Sequence, residues 1–273
     1  MLAWGIYVGG LAIVIAAAAG LVRPLSALVH RATEPGLAVF DALVRGYGRL
    51  VAFLFTLCAG TGATLVVGMA VGMGARAFDA QDWRLYHWWS GEQTHGLTQL
   101  MQVLTQIGNT LQLRIAAVVL ALILAALRPR FAWVVVLAVV SVMALQFELA
   151  QIFGLAIHRG HPPIGRGTYP SGGVSRLIAL TGVVLLLATR LWHPLSPRVG
   201  RIGWALVAAL GWTEMFSRVY LGKHFVSDAV GGAIFGVMLI LTVGLAIAAA
   251  TSNRLTVAKG SLSPKLADLD QVL

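Results

Sequence analysis

Seven apolar runs, at about 2–22, 49–73, 112–127, 131–157, 172–191, 202–221 and 225–250, leave this chain of 273 residues few ways to fold. A helix of ~20 apolar residues crosses the hydrocarbon core of a bilayer, and inside lipid each backbone N–H and C=O must find its partner within the protein. The expected fold class is all-α: a polytopic membrane helical bundle of about seven transmembrane helices. Composition supports this, with 58% hydrophobic and 11% charged residues against about 45–50% and ~25% in soluble domains. No sizeable soluble domain is left over. The first run begins at Leu2 with no basic residue before it, so it reads as a retained span and not a cleaved signal.

The net charge of +10 would raise the question of nucleic acid in a soluble protein. Here the basic residues fall in the short segments between apolar runs, where orientation in an anionic bilayer accounts for them, and no nucleic-acid partner is expected. One set of alternate segments holds 12 of the Lys and Arg residues and the other holds 8. Five of those eight (Arg159, Arg166, Arg176, Arg218 and Lys223) lie in the candidate site described next. Setting them aside puts the N-terminus outside, the C-terminus inside and the site on the non-cytoplasmic face. Residues 23–48, with Pro24 and Pro35, read as an inner linker that forms an interfacial helix lying on the membrane. The tryptophan- and tyrosine-rich start of segment 76–111 reads as a headgroup belt, followed by a helix that Thr94 would cap. A single cysteine, Cys58, rules out a disulfide framework and a thiolate metal site.

Charge concentrates in Ser217–Asp228, which holds Arg218, Lys223, His224 and Asp228 between two apolar runs. Ionisable residues beside a membrane span are costly and mark function by default. On a helical turn His224 and Asp228, four apart, set a carboxylate against an imidazole, which fixes its tautomer and makes the other ring nitrogen a better nucleophile. Arg218 offers a planar donor fork suited to phosphate. The same residues also fit a buried Arg–Asp pair beside an interfacial histidine. Glu214, four before Arg218, reads as its intrahelical ion-pair partner, and Glu148 is expected to face the bundle interior.

The pattern S-R, five residues, H, three residues, D, continued by Ala229-Val230-Gly231-Gly232, resembles the third signature of the type 2 phosphatidic acid phosphatase and vanadium haloperoxidase superfamily. Pro170-Ser171-Gly172-Gly173 resembles its second signature, P-S-G-H. The resemblance implies the membrane lipid-phosphatase branch, a six-span core at 49–250 after an N-terminal span and linker at 1–48, and a cytoplasmic tail at 251–273. It implies that His224 attacks phosphorus to form a phosphohistidine, that Asp228 orients it and that Arg218 holds phosphoryl oxygens. Ser171 would cap the fifth span while Gly172 and Gly173 present backbone N–H groups to the anion. No cofactor and no metal is implied; the partners are a lipid phosphate or diphosphate and the membrane. A soluble haloperoxidase does not fit so apolar a chain.

The first signature, K, six residues, R-P, falls on Gly154 and on His161-Pro162, and the histidine of P-S-G-H falls on Gly173. Two phosphate clamps and the acid for the leaving group are therefore missing. Arg159, Arg166 and Arg176 are the candidates to replace the clamps, with His161 in the same loop. His158, His161 or His95 would have to replace the acid. General acid catalysis contributes about 10²–10⁴-fold, so its loss favours a lipid diphosphate, such as a polyprenyl diphosphate, whose leaving group is itself a phosphate. The expected activity is a metal-independent lipid-phosphate phosphatase or phosphotransferase. The alternative is a non-catalytic relative that binds or moves a phospholipid or polyprenyl phosphate.

The charge asymmetry carries a topological prediction. In a Cys58→Ser background, cysteines placed at Thr168 and at Ser196 react with an impermeant thiol reagent from opposite sides of the membrane. Reaction of both from one side would overturn the assignment.

Overall fold

The computed structural model describes residues 2–165, 167–191 and 196–251. Its elements are α1 (Leu2–Ala77), α2 (Asp79–Gly91), α3 (His95–Leu104), α4 (Thr110–Leu127), a short 3-10 turn, α5 (Ala132–Ile157), α6 (Gly172–Leu191), α7 (Pro197–Tyr220) and α8 (Val226–Thr251). The fold is the expected all-helical bundle. Among the described residues six stretches are long and apolar enough to cross a membrane: Leu2–Gly20, Ala42–Ala77, Thr110–Leu127, Pro129–Ile157, Gly172–Leu191 and Val226–Thr251. The seventh expected span lies in α7, a helix of 24 residues and so about 36 Å long at ~1.5 Å per residue. Glu214 and Arg218, the charges that lower its apolarity, belong to the site.

Residues 23–48 are helical, as an interfacial helix would be: α1 runs through Pro24 and Pro35, and its non-helical φ/ψ falls at Gly48, with φ 85° and ψ 169°. Proline removes one helical hydrogen bond and bends a long helix, whereas a positive φ needs glycine, which has no Cβ to clash. Beyond that break Ala52 packs with Val44 against Ala249 near the end of α8. The side chains of 21–38, Arg166 and all of the expected tail at 251–273 except Thr251, which ends α8, lie outside the described residues.

The core forms where α8 meets α1, α5 and α6. Phe235 of α8 sits edge-on to Phe153 of α5 at 5.2 Å between ring centroids, and the hydroxyls of Thr64 and Thr242 pair at 3.0 Å between α1 and α8. Large side chains on α4 such as Leu111, Val118 and Leu122 are exposed, as a lipid-facing helix requires. Glu148, expected inside, is exposed on α5, and Gln146 is the buried polar residue there. Two residues at 100° each lie on opposite helix faces, so only one of them turns inward.

Gly68 and Gly72, four apart on α1, are packing positions. A Cβ at Gly68 would fall within the Phe153 ring, and one at Gly72 would lie 2.6 Å from Ile157. The α2–α3 segment is docked on the end of α7: Trp89, Leu97 and Met101 pack with Phe216 and Tyr220, and Thr94 N–H donates to the Tyr220 hydroxyl at 2.8 Å. Thr94 is the N-cap of α3 by position, but its side chain makes no capping bond. Because consecutive long helices alternate in direction, the α5–α6 and α7–α8 connections and the start of α4 come together at one end of the bundle.

Overpacking a helix contact costs typically about 1–3 kcal/mol. Gly68→Val should therefore lower the melting temperature of the detergent-solubilised protein by several degrees. Gly62→Val, at a position where a Cβ meets nothing within 4 Å, should leave it within a degree or so.

Candidate active site

Where these connections meet there is a cavity of about 610 Å³, within the ~300–1,000 Å³ range of small-molecule sites. Its lining includes Arg176, Arg218, His158, His224, Gly172 and Gly173. Each of these is polar, cationic or a free helix end, and the fold explains how each is placed.

His224 lies in the tight connection 221–225, and Asp228 in the first turn of α8. The imidazole is 8% exposed and its Nδ1 is 3.7 Å from Asp228 Oδ2. Oδ2 also accepts from Phe225 N–H at 3.2 Å. The histidine ring is pressed against the backbone of Gly167, where a Cβ would fall on its Cε1 and Nε2. The 158–171 loop is tied to the start of α8 by Ser171 N–H, which donates to the Asp228 carbonyl at 2.9 Å.

Arg218 and Arg176 form the cationic wall. Arg218 Nε is 2.6 Å from Glu214 Oε1, the ion pair expected from their spacing, and Glu214 is 1% exposed. Arg218 Nη2 donates to Asn109 Oδ1 at 3.1 Å and to the Thr105 carbonyl at 3.3 Å. Arg176 Nε donates to Gln146 Oε1 at 2.9 Å, and its Nη1 to Thr110 Oγ1 at 3.0 Å. These neutral acceptors hold each guanidinium in place without neutralising Arg176. The first N–H groups of α6, at Gly172 and Gly173, belong to a helix N-terminus, a ready anion site.

Ser171 is not a side-chain cap. It is fully buried, and its hydroxyl has no hydrogen-bond partner; only its carbonyl serves the helix, accepting from Ser175 N–H at 3.1 Å. His161 is exposed, its Nδ1 2.9 Å from the carbonyl of Pro162, and it does not line the cavity. His95 is exposed on α3, so of the three histidines considered as acids only His158 reaches the cavity. At Gly173 a Cβ would lie 2.7 Å from both Glu214 Oε1 and Arg218 Nη2. The Arg218–Glu214 pair therefore fills the volume that a side chain at 173 would need.

The largest correction concerns Arg159. Expected as a phosphate clamp, its side chain is completely buried and turned away from the cavity. Its Nη1 is 3.1 Å from Asp228 Oδ1 and its Nη2 is 2.8 Å from Asp82 Oδ2 and 2.6 Å from Asp79 Oδ1. The guanidinium also lies 5.2 Å from the Phe225 ring. A buried cation is stable only when paired, and three carboxylates claim this one. In the sequence Asp79 and Asp82 open the aromatic-rich segment 76–111 and carry no expected part in the site. The available signal was two acids three apart on one helix face, in a chain with ten in all.

The surroundings tune the ionisable groups of the loops. Burial, reinforced by the Asp228 charge and opposed by Arg159, pushes the Tyr169 phenol up to about 12, so it remains a hydroxyl that donates to the Gly68 carbonyl at 3.2 Å. Burial and repulsion from Arg218 pull the Lys223 ammonium below its ordinary range, against attraction from Glu214.

A nitrogen base with a carboxylate behind it, two guanidinium groups and a helix N-terminus around one cavity make an arrangement that can hold a tetrahedral anion beside a nucleophile. Comparison with known proteins points the same way. Among solved structures, the first transmembrane PAP2 type phosphatidylglycerolphosphate phosphatase from Bacillus subtilis is similar, at 19% identity and a TM-score of 0.58, covering 67% of this chain and 93% of that one. At that identity the likeness is one of fold. No curated protein matches. A family model described as the PAP2 superfamily matches residues 104–252, more than half of the chain and a range that contains every residue named around the cavity. The protein thus belongs to the PAP2 superfamily, the family its Ser217–Asp228 stretch resembles.

Proposed function

We propose that the chain is an integral-membrane lipid-phosphate phosphatase or phosphotransferase working at the non-cytoplasmic face of the cell membrane, with His224 as its nucleophile. The Nε2 lone pair forms a bond to phosphorus while the bond to the leaving oxygen breaks, and that oxygen keeps the electron pair. Asp228 stabilises the positive charge that builds on the imidazole. Water, or another hydroxyl acceptor, then attacks the phosphohistidine, the N–P bond breaks, and phosphate or a new phosphoester departs. Arg176, Arg218 and the N–H groups of Gly172 and Gly173 hold the phosphoryl oxygens, where charge develops in the transition state. The charge can be met by these groups without a metal.

The observation that carries this reading is that His224, with Asp228 3.7 Å from its Nδ1, lines the same cavity as Arg176 and Arg218. A ligand-binding relative would need the cations but has no use for a nucleophile with its own carboxylate. Position 173 supports a substrate class. An acid is missing there and the Arg218–Glu214 pair occupies its space, which favours a leaving group that needs no proton. A lipid diphosphate has one, and His158 is the histidine placed to assist a monoester.

Phosphate release by the purified protein tests this with a polyprenyl diphosphate and a phosphatidic acid side by side. The diphosphate should turn over faster. His224→Ala should abolish release, and Asp228→Asn should leave a folded protein slowed by about 10²-fold or more. Unchanged release by His224→Ala would end the enzymatic reading, and binding without release by the native protein would favour the non-catalytic alternative.

A further inference from the structure

Helix α2 lies outside the family match and contributes nothing to the wall of the cavity, yet one of its acids is among the most buried charges in the molecule. Asp82 is 3% exposed. Its Oδ1 accepts from the backbone N–H of Ser227 at 3.2 Å, and its Oδ2 accepts from the Ser227 hydroxyl and from Arg159 Nη2. Asp79, three residues earlier and half exposed, reaches the same Nη2. An acid from another helix therefore caps the start of α8, the helix that carries Asp228.

The geometry makes a chain of fixed contacts. A guanidinium is planar, so holding Nη2 at Asp82 determines where Nη1 can lie. Nη1 donates to Asp228 Oδ1 and to Ser227 Oγ. With Oδ1 held there and Oδ2 receiving Phe225 N–H, the Asp228 carboxylate has one orientation, and it is the one that faces His224 Nδ1. Asp82, Arg159, Phe225, His224 and Asp228 are buried, with Ser227 and Asp79 only partly so, and buried contacts are the least screened by water.

We propose that Asp82, assisted by Asp79, is a positioning residue for phosphoryl transfer: it fixes Arg159, which fixes Asp228, which orients the nucleophilic imidazole. This rests on the reading of His224 as nucleophile. It assigns to Arg159 a place in the machinery behind the nucleophile, and to an outer helix a part in the chemistry.

The experiment is a double-mutant cycle on the full-length protein, with phosphate release from a polyprenyl diphosphate as readout. Misplacing a reacting group by an ångström costs on the order of 10²-fold. Asp82→Asn, nearly isosteric and still able to accept from Ser227 N–H, should lower kcat about 10- to 100-fold with KM changed less than about two-fold. In an Asp228→Asn background the same substitution should cost less than about two-fold, because the group it acts through is already gone. Equal losses in the two backgrounds would mean that Asp82 only docks α2, and would overturn the proposal, as would an unchanged kcat. If Asp82→Asn does not fold, the half-exposed Asp79→Asn decides by the same criterion: a several-fold loss of kcat confined to the Asp228 background supports the proposal, and an equal loss or none overturns it. Wild-type turnover by His224→Ala would instead remove the functional reading itself, whereas an inactive His224→Ala beside a fully active Asp82→Asn defeats the positioning role alone.

Discussion

A guanidinium with no exposed surface, held by carboxylates from two other segments, is the contact on which the polar end of this bundle depends. Arg159 comes from the loop after α5, Asp82 and Asp79 from α2, and Asp228 from α8. Removing Arg159 would leave the buried Asp82 and Asp228 carboxylates without their cation, at a cost that typically reaches about 3–5 kcal/mol. The loop, the outer helix and the start of α8 are accordingly set in place together, and the same loop carries Gly167, Thr168 and Pro170 into the cavity wall.

Electrostatics divides the arginines into two kinds. Arg159 is surrounded by anions and has no charge left to offer. Arg176 is held by an amide, a carbonyl and a threonine hydroxyl, so its positive charge remains available to an anionic guest. Arg218 is intermediate, with one carboxylate at Nε and neutral acceptors at Nη2. Identical side chains within one short stretch of fold thus do different work, and what distinguishes them is the partner, not the residue type.

That distinction explains how far the sequence could be read. Spans are local: apolar runs of sufficient length dictate helices, and α4, α5, α6 and α8 fall close to the runs at 112–127, 131–157, 172–191 and 225–250. The Glu214–Arg218 pair was legible for the same reason, since four residues is one helical turn. The partner of Arg159 was not, because Asp82 is 77 residues away and no periodicity joins them. The choice of Gln146 over Glu148 for the interior was also settled by packing against other helices, which a local pattern does not encode.

The collapse of the Arg218–Glu214 pair onto Gly173 and Gly108 has a consequence for substitution. A Cβ at either glycine would meet the Glu214 carboxylate, so a side chain at 173 and a carboxylate at 214 compete for one volume. A side chain at 173 therefore requires the Glu214 carboxylate to swing aside, which loosens its hold on Arg218. The effect of a substitution at 173 thus depends on the residue at 214, as it does for any two groups that share one volume.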